Sequence, residues 1–323
     1  MTRFGYHASH EQHSPSRLLE YVRLAEQAGF AAAMCSDHFH PWLPRQGHSG
    51  FAWSWLGAAL QATQLSYGCV CAPGYRYHPA IIAQACATLA VMYPQRFWIS
   101  LGSGEALNEH ITGAAWPSKE ERDARLAECV EVIRALWSGA TVTHHGRITV
   151  EQAKLYSRSD SAPLIFGAAL TPQTARRVGT WADGLMTVGL PREQLRPIID
   201  AFRDSAGNKP IKVQAALAWA PTDNEARRAA HEQWAGNVLE PDLLAMLRTP
   251  EEFEAAARFI SPDDVSGKVA AGSDAQFHID RVQHYLELGI DDVYLFNVTP
   301  HQRGFIELFG ERVLPALHDS SKP

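Results

Sequence analysis

The sequence predicts an α/β fold: a (β/α)8 TIM barrel with insertions. Three observations carry this. Short apolar segments alternate with longer amphipathic ones along nearly the whole chain. Eight short segments can be counted, each followed by a helical one. The segment ends carry His7, Asp37-His38, Ala72-Pro73, Gly104-Glu105, Gly167-Ala168 and Thr187-Val188-Gly189, which would line one mouth of a barrel.

The elements follow in order. Residues 3–8 read as the first strand. Over 15–28, Leu18, Leu19, Val22, Leu24 and Ala25 recur at helical spacing, and Gly29 is a helix stop. Strands are then expected over 30–36, 65–71, 97–101, 164–167, 184–187, 211–219 and 292–297. Helices are expected over 53–63, 79–93, 119–137, 172–180, 192–205, 223–236, 275–288 and 303–317. Residues 139–160 are polar and irregular, with β-like pieces at 141–144 and 148–150, and 240–261 is mostly helical and interrupts the rhythm. The expected organisation is one barrel domain over 1–323 with insertions at 139–160 and 236–266. An open doubly wound sheet is the alternative, but the Gly-x-Gly-x-x-Gly turn it needs after its first strand is missing.

The bulk composition narrows the function. The chain has 323 residues, is 46% hydrophobic and carries a formal net charge of -6, with no basic excess for a nucleic-acid partner. No apolar run approaches the ~18 residues of a membrane span, and no secretory leader pattern opens the chain. The five cysteines are odd in number and lie mostly in apolar runs, as buried reduced thiols do. The expected location is the cytoplasm. Cys69-x-Cys71 has no matching Cys/His pair nearby, the histidines scatter, and no metal site is expected. Gly-x-Ser-x-Gly and Walker motifs are absent.

The segment Cys-Ser-Asp-His-Phe-His-Pro-Trp, residues 35–42, is the first candidate for chemistry. His38 is the base candidate, because a neutral imidazole can take a proton from an alcohol. On a strand Asp37 points the other way and need not pair with it. A packing histidine with a helix-capping aspartate is the bland alternative. Trp42, Trp53 and Trp55 follow, and an indole N–H can hold a ring or an oxyanion. The second constellation is Gly102-Ser-Gly-Glu-Ala-Leu-Asn-Glu109, where two glycines allow close backbone approach and Glu105 is a candidate acid. Read alone, it also fits a tight turn with a capping carboxylate.

These motifs, with Gly5-Tyr-His-Ala-Ser, Arg76-Tyr-His-Pro-Ala-Ile-Ile-Ala-Gln84 and Phe305-Ile-Glu-Leu-Phe309, resemble the bacterial-luciferase-like superfamily nearly end to end. Within it they resemble the glucose-6-phosphate dehydrogenases that use the deazaflavin coenzyme F420. The resemblance implies the (β/α)8 fold, a homodimer, and a coenzyme that is either F420 or FMN. It implies catalytic roles for three residues: His38 as base, Glu105 as proton donor to the ring nitrogen, and Trp42 as stabiliser of the reduced ring. It implies coenzyme contacts by Asp37, Asn108, Gly167, Ala168 and Ala169. It also places Cys69, Val70 and Cys71 at a bulge behind the ring, where relatives often have a non-prolyl cis peptide. Substrate contacts would come from Glu11, Thr187 and Lys268. The family's phosphate cations are mostly missing: Leu190 and the Leu244–Ala245 region stand where lysines are expected, and Lys268 stands where an arginine is. The implied activity is hydride transfer between a flavin-type coenzyme and a small alcohol or sugar-like substrate, not glucose 6-phosphate. An FMN-dependent monooxygenase and a non-catalytic flavin-binding protein are the alternatives.

Overall fold

A computed structural model describes residues 2–320. Its strands are β1 (Arg3–His7), β2 (Ala32–Ser36), β3 (Ser66–Cys71), β4 (Phe97–Leu101), β5 (Val142–His145), β6 (Thr149–Ala153), β7 (Leu164–Ala168), β8 (Gly184–Val188), β9 (Ile211–Trp219), β10 (Ala270–Gly272) and β11 (Asp292–Asn297). Parallel pairing runs β1-β2-β3-β4-β7-β8-β9-β11 and returns to β1, which closes an eight-stranded barrel. The expected (β/α)8 fold is therefore present. β5 and β6 form an antiparallel hairpin on the polar stretch after the long helix Lys119–Trp137, and β10 adds to the far end of β9.

Sequence periodicity explains the layering. Alternate strand residues point in and out. One set, with Phe4, Tyr6, Cys35, Tyr67, Cys69, Ile99, Ile165 and Val213, packs between barrel and helices. The other set, with Ala32, Met34, Val70, Trp98, Phe166, Met186 and Tyr294, fills the barrel. The interior is crowded enough to demand glycine: a Cβ on Gly68 would lie 1.9 Å from the Trp98 ring. At the barrel floor, Arg3 and Lys212 both engage the Asp292 carboxylate.

The helix ends obey local chemistry. Ser14, Ser118, Thr171 and Thr222 each accept a backbone N–H at the start of a helix, and Gly29 takes a φ of 92° after the first one. The stretch 240–261 departs from a single run. It breaks into helices Pro241–Met246 and Pro250–Ala257, because Pro250 can start a helix but not sit inside one. The helix Pro262–Lys268 and the three-residue β10 are too short to leave a periodic signal.

Candidate active site

The mouth is built from loops that leave the carboxyl ends of β1, β2, β3 and β4. His38 follows β2 directly. Its Nδ1 lies 2.6 Å from Oε1 of Glu11, which comes from the loop after β1. The other Glu11 oxygen accepts the Ser9 hydroxyl at 2.7 Å. Burial alone would raise the Glu11 carboxyl, yet the facing His38 outweighs it and holds Glu11 down at about 2. Burial works against the His38 cation too, but Glu11 overcomes it and the imidazole titrates above its ordinary value. Ser49 donates to the His38 carbonyl at 2.8 Å, fixing the backbone of the turn.

Trp42 stands edge-on to the His38 ring at 5.2 Å, and Phe253 stands edge-on to Trp42 at 5.3 Å. The Trp42 backbone N–H donates to Gln46 at 2.8 Å, and Gln46 in turn donates to the Gln233 carbonyl. A second imidazole, His7 at the end of β1, lies against Phe296 at 4.2 Å. Burial lowers it to about 4, so it is neutral at physiological pH.

Glu105 stands just before the short helix Ala106–Glu109 after β4, without a capping bond from its side chain. Its Oε2 is shut from solvent and has no partner. Burial, reinforced by the charges of Glu109 and Glu11 and opposed by His38, raises its carboxyl. A buried carboxyl group without a partner at a barrel mouth is a group kept able to hold a proton.

The structure brings His38, Trp42, Glu11 and Glu105 together and sorts the remaining expected residues. Asp37 points away from His38, as strand geometry requires. Its side chain is out of solvent, accepts the Trp53 indole N–H at 3.2 Å and faces Arg76 at 3.6 Å. Asn108 spends its side-chain oxygen on the backbone N–H groups of Phe39 and His40, at 2.9 and 3.3 Å, so it holds the His38 loop. Glu11, expected at the substrate, has both oxygens engaged by Ser9 and His38.

The alternation rule corrects several expected contacts. Cys69 and Cys71 are buried in the layer between barrel and helices, and only Val70 of that triplet faces inward. β3 keeps unbroken register with β2 and β4 through these residues, and no peptide among the described residues is cis. The expected bulge at the triplet is therefore absent. Ala168 is partly exposed at the mouth, whereas a Cβ on Gly167 would strike Val178 and Ala169 is buried. Thr187 is likewise buried, and its neighbour Val188 is the partly exposed one. Lys268 lies in a cleft with Leu190, Arg192, Arg281 and Tyr285 and donates to the Val238 carbonyl at 2.7 Å. Sequence reasoning missed the Glu11–His38 pair and the role of Arg76, because their partners come from different loops.

The site suits a flat redox coenzyme. Small side chains at Val70 and Ala168 and the bare backbone of Gly102 and Gly104 leave room at the mouth, and the Glu105 carboxyl is unpartnered there. Among the described residues, no group of three or more His, Cys, Asp or Glu is arranged to hold a metal ion, and no helix is long and apolar enough to cross a membrane.

Known proteins resemble the chain along nearly its whole length. The luciferase-like monooxygenase family matches residues 1–292. An F420-dependent glucose-6-phosphate dehydrogenase of Nakamurella multipartita is 35% identical, over 98% of this chain and 96% of its own. That of Microbacterium testaceum is 33% identical, over 98% and 97%. A solved F420-dependent secondary alcohol dehydrogenase, in complex with an F420-acetone adduct, is 32% identical with a TM-score of 0.90, over 98% and 99%. Barrel and sequence agree along nearly the whole chain, which places this protein in the luciferase-like monooxygenase family.

Proposed function

We propose that the protein is a deazaflavin-dependent oxidoreductase that oxidises a small uncharged alcohol or sugar-like hydroxyl compound, or reduces the matching carbonyl. The Glu11–His38 pair carries this reading. With Nδ1 turned to Glu11, Nε2 of His38 is left to take the proton from a substrate hydroxyl. Trp42 and Glu11 fix that ring between them. Glu105 holds a proton in a site screened from water, and the Trp42 indole stabilises negative charge nearby. The bound coenzyme ring supplies the hydride acceptor; Val70, Ala168 and the Gly102–Gly104 backbone would hold it. Names of relatives with F420 favour that coenzyme over FMN.

The residues at the positions expected to hold a phosphate support an uncharged substrate. Leu190 is apolar, Leu244 packs against the Trp42 and Phe253 cluster, and the Lys268 ammonium is occupied by a backbone carbonyl. We further propose a homodimer in a reducing compartment. The five cysteines are free. Helices Ala52–Ala62 and Pro79–Met92 contain no charged side chain, yet they present Ile81, Val91 and Met92 to solvent.

The test is a side-by-side titration of the purified protein with the deazaflavin and with FMN, followed by turnover on secondary alcohols, glucose and glucose 6-phosphate. Tight deazaflavin binding and turnover of the neutral compounds are expected, with loss of ~100-fold or more in His38→Ala and Glu105→Gln. FMN binding with oxygen consumption would replace this reading with a monooxygenase, and binding without turnover would replace it with a flavin-binding protein.

A further inference from the structure

We propose that Gln46 is a positioning residue whose buried amide holds Trp42 at the His38 ring. The inference rests on the reading of Trp42 as the group that stabilises negative charge on the reduced coenzyme ring. Trp42 lies in a stretch that no helix or strand supports. Pro41 and Pro44 flank it, and Leu43 is extended, at φ -131° and ψ 143°. The backbone N–H groups of Trp42 and Leu43 therefore need a partner from outside any ladder. Both end on one oxygen: Oε1 of Gln46 accepts them at 2.8 and 3.2 Å. Gln46 is 4% exposed, and its own backbone N–H donates to the Leu43 carbonyl at 3.0 Å, which closes the turn a second time.

The other end of the same amide leaves the turn. Its nitrogen donates to the Gln233 carbonyl at 3.0 Å, in the last turn of the helix Asp223–Trp234. The Gln233 side chain accepts the Gln12 amide at 3.2 Å, and Gln12 also donates to the Val298 carbonyl at 2.6 Å, just past β11. Gln12 follows Glu11 directly. Two residues after Gln46, the His48 backbone N–H donates to the Glu11 carbonyl at 3.1 Å. The contacts close a ring: Glu11 to His38, His38 to Trp42, Trp42 through Gln46 and Gln233 to Gln12, and back to Glu11. The indole itself is held by packing with His38, Phe253, Leu43 and Leu107. Apolar packing has no direction, whereas the two N–H bonds set where the Trp42 backbone stands. An amide suits this place, because it accepts from two N–H groups and donates to a carbonyl at once.

The experiment labels the protein with 5-fluorotryptophan and reads Trp42 by fluorine NMR, with its signal assigned by loss in Trp42→Phe. Gln46→Met keeps the side-chain length and removes both hydrogen-bonding ends. It should shift or broaden the Trp42 signal and leave those of Trp98 and Trp137 in place. An unmoved Trp42 signal would overturn the inference. Gln46→Asn, one methylene shorter, is the milder variant and is read the same way if Gln46→Met does not fold. In titration, Gln46→Met should weaken binding of the reduced deazaflavin ~10-fold and of the oxidised form less than about two-fold. In a Trp42→Phe background the same substitution should cost the reduced form less than about two-fold, because the group it positions is gone. A ~10-fold loss there too would mark Gln46 as acting elsewhere, and no loss in the wild-type background would equally overturn the inference. Unchanged binding of the reduced form in Trp42→Phe would remove the charge-stabilising reading of Trp42, while the fluorine signal would still decide whether Gln46 positions it.

Discussion

Nδ1 of His38 lies 2.6 Å from a carboxylate oxygen of Glu11, a residue 27 positions earlier in the chain, on the loop that the β1–β2 pairing sets beside the end of β2. The contact fixes which imidazole nitrogen faces the mouth, and it ties the loop after β1 to the end of β2. It also sets when His38 is free to act as a base. Because Glu11 raises the imidazole, the neutral form gives way on acidification at a higher pH than it otherwise would. Glu11→Gln should therefore move the acid limb of alcohol oxidation to lower pH. Turnover at the optimum should fall ~10-fold or more through loss of orientation. Stopped-flow rates across pH check this; an unmoved acid limb would count against the pairing.

Strand alternation separates three consecutive residues at the centre of the candidate coenzyme site. Cys69 and Cys71 pack outward beside Cys35 and Asp37, while Val70 joins the interior cluster with Trp98 and Met186. Cys69→Ser and Cys71→Ser should leave coenzyme affinity within about two-fold, because the side chains never reach the mouth. Val70→Trp should weaken it ~10-fold or more by filling the space with an indole. Fluorescence titration with the coenzyme distinguishes the two; equal losses in all three variants would contradict the assigned directions.

Much of this was legible in the sequence, and the limit has a physical cause. Eight βα units are a local signal, because strand and helix periods are written in neighbouring residues. His38, Trp42 and Glu105 were legible because strand ends in a barrel converge. What was not legible is pairing between loops. Glu11 and Arg76 lie on the loops after β1 and β3 and Glu109 on the short helix after β4, and only the pairing of those strands brings Glu11 to His38 and Arg76 to Glu109. Side-chain direction was half legible: the alternation that turned Asp37 away from His38 also turns Cys69, Cys71 and Thr187 away from the mouth. The resemblance nevertheless assigned all of these positions to ligands.

The charge-free helices Ala52–Ala62 and Pro79–Met92 form one surface, joined where the Tyr93 hydroxyl reaches the Gly57 carbonyl and Gln61 at 3.2 and 3.1 Å. On that surface Phe51, Ile81 and Met92 are each more than half exposed, at 54%, 54% and 55%. Apolar side chains on adjacent helices without a single charge are the composition of a subunit interface. Ile81→Asp and Met92→Lys should each shift the protein from dimer to monomer in sedimentation at micromolar concentration, with the far-ultraviolet spectrum unchanged. Monomeric wild-type protein would refute the dimer.

Two buried histidines couple stability to pH. His7 and His13 are both lowered from 6.5 to about 4, chiefly by burial; neighbouring His38 and His10 act in the same sense on His7, and His48 on His13. The unfolded chain takes up protons at these side chains from pH 6.5 downward, and the folded chain does not until about pH 4. Their contribution to stability is thus complete above pH 6.5 and drains away across that window. The full displacement sets an upper bound of about 3 kcal/mol for each. Urea unfolding at pH 7.5, 6 and 5 should show a steady decline. His13, edge-on to Tyr21 at 5.4 Å, allows a control. His13→Phe keeps the ring contact and removes the titrating nitrogen, so its decline should be shallower than that of the wild type. An equally steep decline in this variant would assign the acid sensitivity to other groups.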